Sequence, residues 1–220
     1  MAGQFIWSVT ATDIYSQWTE IQAMFHKGKP GALEAVKSIE KVPPFALIAF
    51  DSDNGGEFLN YYLVEYFAKR DTVVSFTRSR EYKKNDNAHV EQKNYTHVRQ
   101  LLGYGRPDNT EILDPLNLIL RDWSTLRKHF YPLRKLLAKE RIGSRYHKRY
   151  DKPRTPYQRL LESPAVDQAV KDTLKQIHQT LDPLLLRRSI RKRLHQLLRF
   201  SSVTSIFEES NRLTAQTGNI

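Results

Sequence analysis

Phe45-Ala-Leu-Ile-Ala-Phe-Asp51-Ser-Asp53-Asn-Gly-Gly-Glu57-Phe58 decides how the chain is read. Phe45 to Phe50 carries no polar residue, which is the signature of a short strand buried on both faces. Asp51 ends that run. Asn54 then reads as a helix N-cap with Glu57 three residues on as its capping-box partner, and the helix extends to about Arg70 with Leu59, Leu63, Tyr66 and Phe67 facing inward. A second stretch has the same character: Asn85-Asp-Asn-Ala-His-Val-Glu91-Gln92 opens a helix that reaches about Gly103. Each stretch brings a carboxylate to a strand or helix end, Asp53 and Glu91, with 37 residues between them.

Outward from these stretches, the pattern is that of a mixed α/β fold. Phe5 to Thr12 is rich in β-formers, Asp13-Ile14-Tyr15-Ser16 reads as a turn, and Trp18 to Phe25 as the second arm of a hairpin. Ala32 to Val42 has helical period, with Leu33, Val36 and Ile39 on one side, until Pro43-Pro44 stops it. Thr72 to Thr77 is another strand. Asp114-Pro115 is a cap with a first-turn proline, opening a helix that carries Leu116, Ile119, Leu120, Trp123 and Phe130. Arg141 to Arg159 is basic, rich in tyrosine and punctuated by proline, and is expected to be extended. Val166 to Leu181 and Leu184 to Phe200 read as two helices, and Ser201 to Ile220 as a polar, frayed end. The expected architecture is a mixed sheet with flanking helices, followed by a basic helical extension.

Composition sets limits on function. The 220 residues, 40% apolar, suffice for one sizeable core. The net charge of +11 is unevenly placed: Arg121 to Phe200 holds 21 basic against 7 acidic residues, and the remainder 14 against 17. Polyanion binding is therefore expected of the C-terminal part and not of the region around Asp53 and Glu91. Cysteine is absent, which excludes disulfides and thiolate metal sites and fits a cytoplasmic setting. No apolar run approaches the ~18 residues of a membrane span, and the N-terminus has no signal-peptide pattern. The seven histidines are scattered, none in an i, i+4 pair with another, and are read as structural or surface residues without a zinc site.

Asp53 and Glu91 each have a bland reading. Asp53 stands beside Asn54-Gly55-Gly56, where aspartate is commonly a cap or turn residue. It also follows a buried strand at its C-terminal end, where α/β sheets build sites. Glu91 lies in line with Tyr95, Val98 and Leu102 on an apolar helix stripe. A glutamate there costs free energy unless it turns away, pairs with a cation or binds metal. Mg²⁺ takes oxygen ligands, usually a few carboxylates plus substrate phosphates. Two such ions about 4 Å apart can activate a hydroxyl and stabilise a leaving oxygen in phosphodiester transfer. Two carboxylates hold one ion weakly, and a third is normally needed to bridge two.

The strings FDSDNGGEF and NDNAHVEQKN resemble the catalytic core of bacterial insertion-sequence transposases of the retroviral-integrase (DDE) type. ATDIYSQWTE and RIGSRYHKRYDKPRTPYQRLL are similar to the same family, and the resemblance covers roughly residues 4 to 161. It implies a ribonuclease H-like fold, strand transfer on DNA with Mg²⁺ or Mn²⁺, and Asp53 and Glu91 as the second and third catalytic, metal-binding carboxylates. The family's first catalytic Asp lies on a central strand just before the hairpin that here starts at Phe5, so the resemblance implies a core lacking its first strand. Asp13 falls at a non-catalytic hairpin position. The organisation implied is an incomplete catalytic core over residues 1–110, the helical end of the core and a basic linker over 111–161, and a basic helical extension over 162–220. Without the central strand, the hairpin and the Phe45–Phe50 strand are expected to carry unpaired edges, at about 1–3 kcal/mol per buried unpaired group, so that the isolated fold is marginal or aggregation-prone. The chain as written is then expected to be inactive. The alternative is a non-catalytic DNA-binding remnant that associates with DNA or with an intact transposase.

The partners implied are DNA, namely transposon ends and target, and further copies of the chain or an intact transposase, at the nucleoid and without a membrane. Arg145, Lys148, Arg149, Lys152 and Arg154, interleaved with Tyr146, Tyr150 and Tyr157, are the candidate nucleic-acid contacts. Basic groups neutralise phosphates and aromatics stack on exposed bases, though a solvated charged loop has the same composition. In the last helix Leu186, Ile190, Leu194, Leu197 and Leu198 share a side, with Arg187, Arg188, Arg191, Lys192 and Arg193 around the remainder.

Overall fold

The computed structural model describes residues 5–25, 28–52, 61–70, 74–78, 93–103 and 107–200. Strands β1 (Ile6–Thr12) and β2 (Thr19–Phe25) form the expected antiparallel hairpin, in register from Ile6 opposite Phe25 to Thr12 opposite Thr19. Its turn is tied by the Asp13 carboxylate, which accepts from the Ser16 amide and hydroxyl, both at 2.6 Å. Helix α1 (Lys29–Glu40) starts earlier than the periodicity implied, because Pro30 sits in its first turn, where its fixed φ suits the helix and its missing N–H costs nothing.

Strands β3 (Ala49–Ser52) and β4 (Ser75–Arg78) pair in parallel, joined through a crossover that includes α2 (Tyr61–Ala68). Val36 of α1, Leu63 and Phe67 of α2, and Val74 enclose a small core against this pair. A π-helical turn, Tyr95–Arg99, runs into the short α3 (Gln100–Leu102), and a 3₁₀ turn, Thr110–Ile112, leads into the long α4 (Leu113–Phe130).

One mixed sheet was expected. Among the described residues there are instead three two-stranded sheets: β1–β2, β3–β4, and a third made by β5 (Leu136–Ile142) and β6 (Arg145–Tyr150). The hairpin β1–β2 lies between helices. Val9 and Met24 meet Ala35 and Ile39 of α1, while Ile21 and Ala23 join Leu116, Ile119 and Leu120 of α4 in the main core. Helix α5 (Pro156–Glu162) begins with a full capping box, Thr155 and Gln158 each bonding the other's backbone N–H. Helices α6 (Gln168–Thr180) and α7 (Pro183–Phe200) follow, close to the expected bounds. Leu174 of α6 packs with Trp18, Tyr157 and Leu160. Ile190 and Leu197 of α7 enter the main core. Among the described residues no helix is long and apolar enough to cross a membrane.

Candidate nucleic-acid interface

Asp53 and Glu91 lie outside the described residues, as do Asn54, Glu57 and Leu59. Their described neighbours can be placed. β3 ends at Ser52, and the exposed Asp51 accepts a hydrogen bond from the Thr77 hydroxyl on β4 at 2.9 Å. Lys93, two residues after Glu91, is 8% exposed. Burial, and then the charge of Arg127, pull its ammonium down to about 8. Arg127 lies over the rings of Trp123 and Tyr131 at 5.3 and 5.4 Å, and its buried Nε has no hydrogen-bond partner. His97, whose carbonyl accepts from Trp123 Nε1 at 2.9 Å, is held down to about 3 by burial, Arg127 and Lys93. Among the described residues no group of three His, Asp or Glu could hold a metal ion.

The basic segment is where the structure departs most from expectation. Arg141 to Arg159 is not simply extended. Its first part is one arm of an antiparallel ribbon, β5 and β6, closed by the two-residue loop Gly143-Ser144. Its last part is α5. Such a loop needs a positive φ, and Gly143 supplies it at 62° with open space where a Cβ would stand. The sequence carries a signal for this hairpin: Gly-Ser between two runs of strand-compatible residues. The first run starts at Leu136, ahead of the basic, tyrosine-rich stretch that opens at Arg141.

Opposed residues of an antiparallel pair share a face. Arg141 opposes Tyr146 and Lys139 opposes Lys148, so these four stand on one face with Tyr150. Ile142 with Arg145, Glu140 with His147, and Ala138 with Arg149 stand on the other. Every residue of the ribbon is exposed except Ala138, which is half-buried. Of the five cations expected to act together, Lys148 is therefore separated from Arg145 and Arg149 by the ribbon itself. Lys152 is exposed beyond its end. Arg154 is engaged in structure: its backbone bridges Leu133, and its guanidinium pairs with Glu162 at 2.5 Å. Lys139 was not among the expected contacts, nor was Arg141.

The base of the ribbon is fixed to the body. Asp151 accepts from the Lys135 amide at 2.6 Å and from the buried Arg159 guanidinium at 2.6 Å, which holds its carboxyl below the usual carboxylate range. Arg159 also donates to the Leu133 carbonyl at 2.9 Å. Lys135 Nζ reaches back to the carbonyls of Ile14 and Tyr15 at 3.0 and 2.8 Å.

Helix α7 adds a second basic surface. Arg187, Arg188, Arg191 and Lys192 are exposed, while Arg193 pairs with Asp122 of α4. Leu186 and Leu194 face the core, as their spacing implied. The side chain of Leu198 lies outside the described residues.

The chain is 37% identical, over 161 residues and 72% of its length, to an uncharacterized protein of Sinorhizobium fredii. It spans 45% of the length of that relative. No protein-family model matches the chain.

Proposed function

We propose that the chain is part of a protein of DNA integration and transposition, similar to the insertion-sequence transposases of the retroviral-integrase type, and built on a ribonuclease H-like core. The observation that carries the reading is the pairing of FDSDNGGEF with NDNAHVEQKN. The mixed α/β elements and the projecting basic ribbon are compatible with it. In this reading Asp53 and Glu91 are ligands for Mg²⁺ or Mn²⁺, which would supply Lewis-acid activation of a phosphodiester.

The donor set does not fit a complete two-metal centre. The two motifs supply two carboxylates, where bridging two ions takes a third. The second reading is a non-catalytic DNA-binding remnant that associates with DNA or with an intact transposase, and the exposed cations of the ribbon and α7 favour it equally.

Incubating the chain with DNA and Mn²⁺ separates the two. Nicking or joining that disappears in Asp53→Asn and in Glu91→Gln supports the catalytic reading. Absence of both activities, with DNA binding unchanged in the two variants, supports the remnant.

A further inference from the structure

The ribbon β5–β6 contributes almost nothing to the core, since it is exposed on both faces. A lone two-stranded hairpin is marginal in water, yet this one is tied down at its base by Asp151, Arg159 and Lys135. Its shape and charge suit a groove. Seven residues of strand extend roughly 23 Å, and a two-stranded ribbon is among the elements the ~12 Å major groove of duplex DNA admits.

We propose that this ribbon enters a groove of duplex DNA, with the face bearing Lys139, Arg141, Lys148, Tyr146 and Tyr150 turned toward the nucleic acid. The proposal deepens the reading of the chain as a DNA-acting protein and rests on it. Two observations choose the face. It carries three cations and no carboxylate, whereas the opposite face sets Glu140 across from His147. The outer residues Arg145 and Arg149 of that opposite face are left to meet flanking phosphates. A further observation chooses duplex over single strand. The Lys139 ammonium lies 4.4 Å from the centre of the Tyr146 ring and occupies one face of it, so a splayed base would have to compete with a cation for that face.

The test is fluorescence anisotropy of the full chain with a labelled duplex of roughly two helical turns and with one of its strands, across a salt series. Lys139→Ala/Arg141→Ala/Lys148→Ala is compared with Arg145→Ala/Arg149→Ala. The same three positions changed to Gln keep much of the side-chain bulk while removing the charge, so a loss shared by the Ala and Gln sets reports charge and not misfolding. We expect the triple change to weaken duplex binding at least about tenfold and to lower the log–log salt slope by about 3, near 0.9 for each phosphate no longer neutralised. The double change on the other face should cost several-fold less. Unchanged duplex affinity and slope in the triple variants, equal losses from both faces, or tighter binding to the single strand would each overturn the groove placement while leaving DNA binding intact. A wild-type chain that binds neither DNA would overturn the functional reading along with it.

Discussion

Asn117 pairs with the backbone of Ala23 as a neighbouring strand would. The Ala23 amide donates to Asn117 Oδ1 at 2.7 Å, and Asn117 Nδ2 donates to the Ala23 carbonyl at 3.2 Å. Seven residues further along α4, the Ser124 hydroxyl donates to the Thr19 carbonyl. Two polar side chains on one helix thus bond three backbone groups along the outer edge of β2, where Ala23 is 3% exposed. Asn117→Leu should lower unfolding stability by about 1–3 kcal/mol, the cost of leaving buried backbone groups unpaired. Urea denaturation followed by far-UV circular dichroism measures it, and a change within a few tenths would contradict this role.

A third polar link between α4 and β2 is the buried ion pair of Lys128 and Glu20, whose side chains are 5% and 6% exposed. Glu20 also accepts from Trp18 Nε1 at 2.7 Å, and Lys128 lies 4.5 Å from the Trp18 ring centre. Removing one charge strands the other, so Glu20→Gln or Lys128→Met should each cost about 3–5 kcal/mol. The double replacement should cost less than their sum, and a double-mutant cycle reads the difference.

Stability should rise with pH between 4 and 6.5. Burial, with His178 and Lys128 nearby, holds His129 down to about 4, and His97 sits at about 3. The ordinary value is about 6.5, so in that window the unfolded chain binds protons that the folded chain does not. Each site then contributes about 1.4 kcal/mol per pH unit, fully present above 6.5 and lost as pH falls. His129→Asn keeps a polar group opposite His178 Nδ1, which stands 3.2 Å from His129 Nδ1. It should roughly halve the slope. Denaturant midpoints at several pH values test this, and an unaltered slope would refute it.

Asp151→Asn should loosen the ribbon at its root more than it unfolds the body. It removes the charge partner of buried Arg159, at about 1–3 kcal/mol, and the same bond is lost in wild type as acid protonates the depressed Asp151 carboxyl. Hydrogen exchange should show faster amides in β5 and β6 with α4 little changed. Equal acceleration throughout would instead mean that Asp151 holds the whole fold.

The β1–β2 hairpin, α4 and α7 are legible in the sequence because their patterns are local: β-formers around a polar turn, and apolar residues at helical spacing. The ribbon is less so: its local signal is Gly143-Ser144 alone, because both of its faces are exposed and burial imposes no apolar stripe on Leu136 to Ile142. Asn117 looks like an ordinary polar helix residue, and its use depends on β2, 94 positions away. His129 and His178 meet across 49 positions through helix packing, which scattered spacing does not show. Of the candidate site, the cations of β6 are placed, while Asp53 and Glu91 rest on motif alone.

The blocked margin of β2 gives the hairpin a handedness of growth. Among the described residues no strand pairs with the far side of β1, whereas Asn117 and Ser124 occupy the side beyond β2. An extended segment joining this hairpin is barred beyond β2 by these side chains, and beyond β1 it meets the bond that the Ile6 amide donates to the Pro107 carbonyl at 2.7 Å. Two side chains of one helix thus act as a stop that ends edge-to-edge pairing at β2 without a further strand.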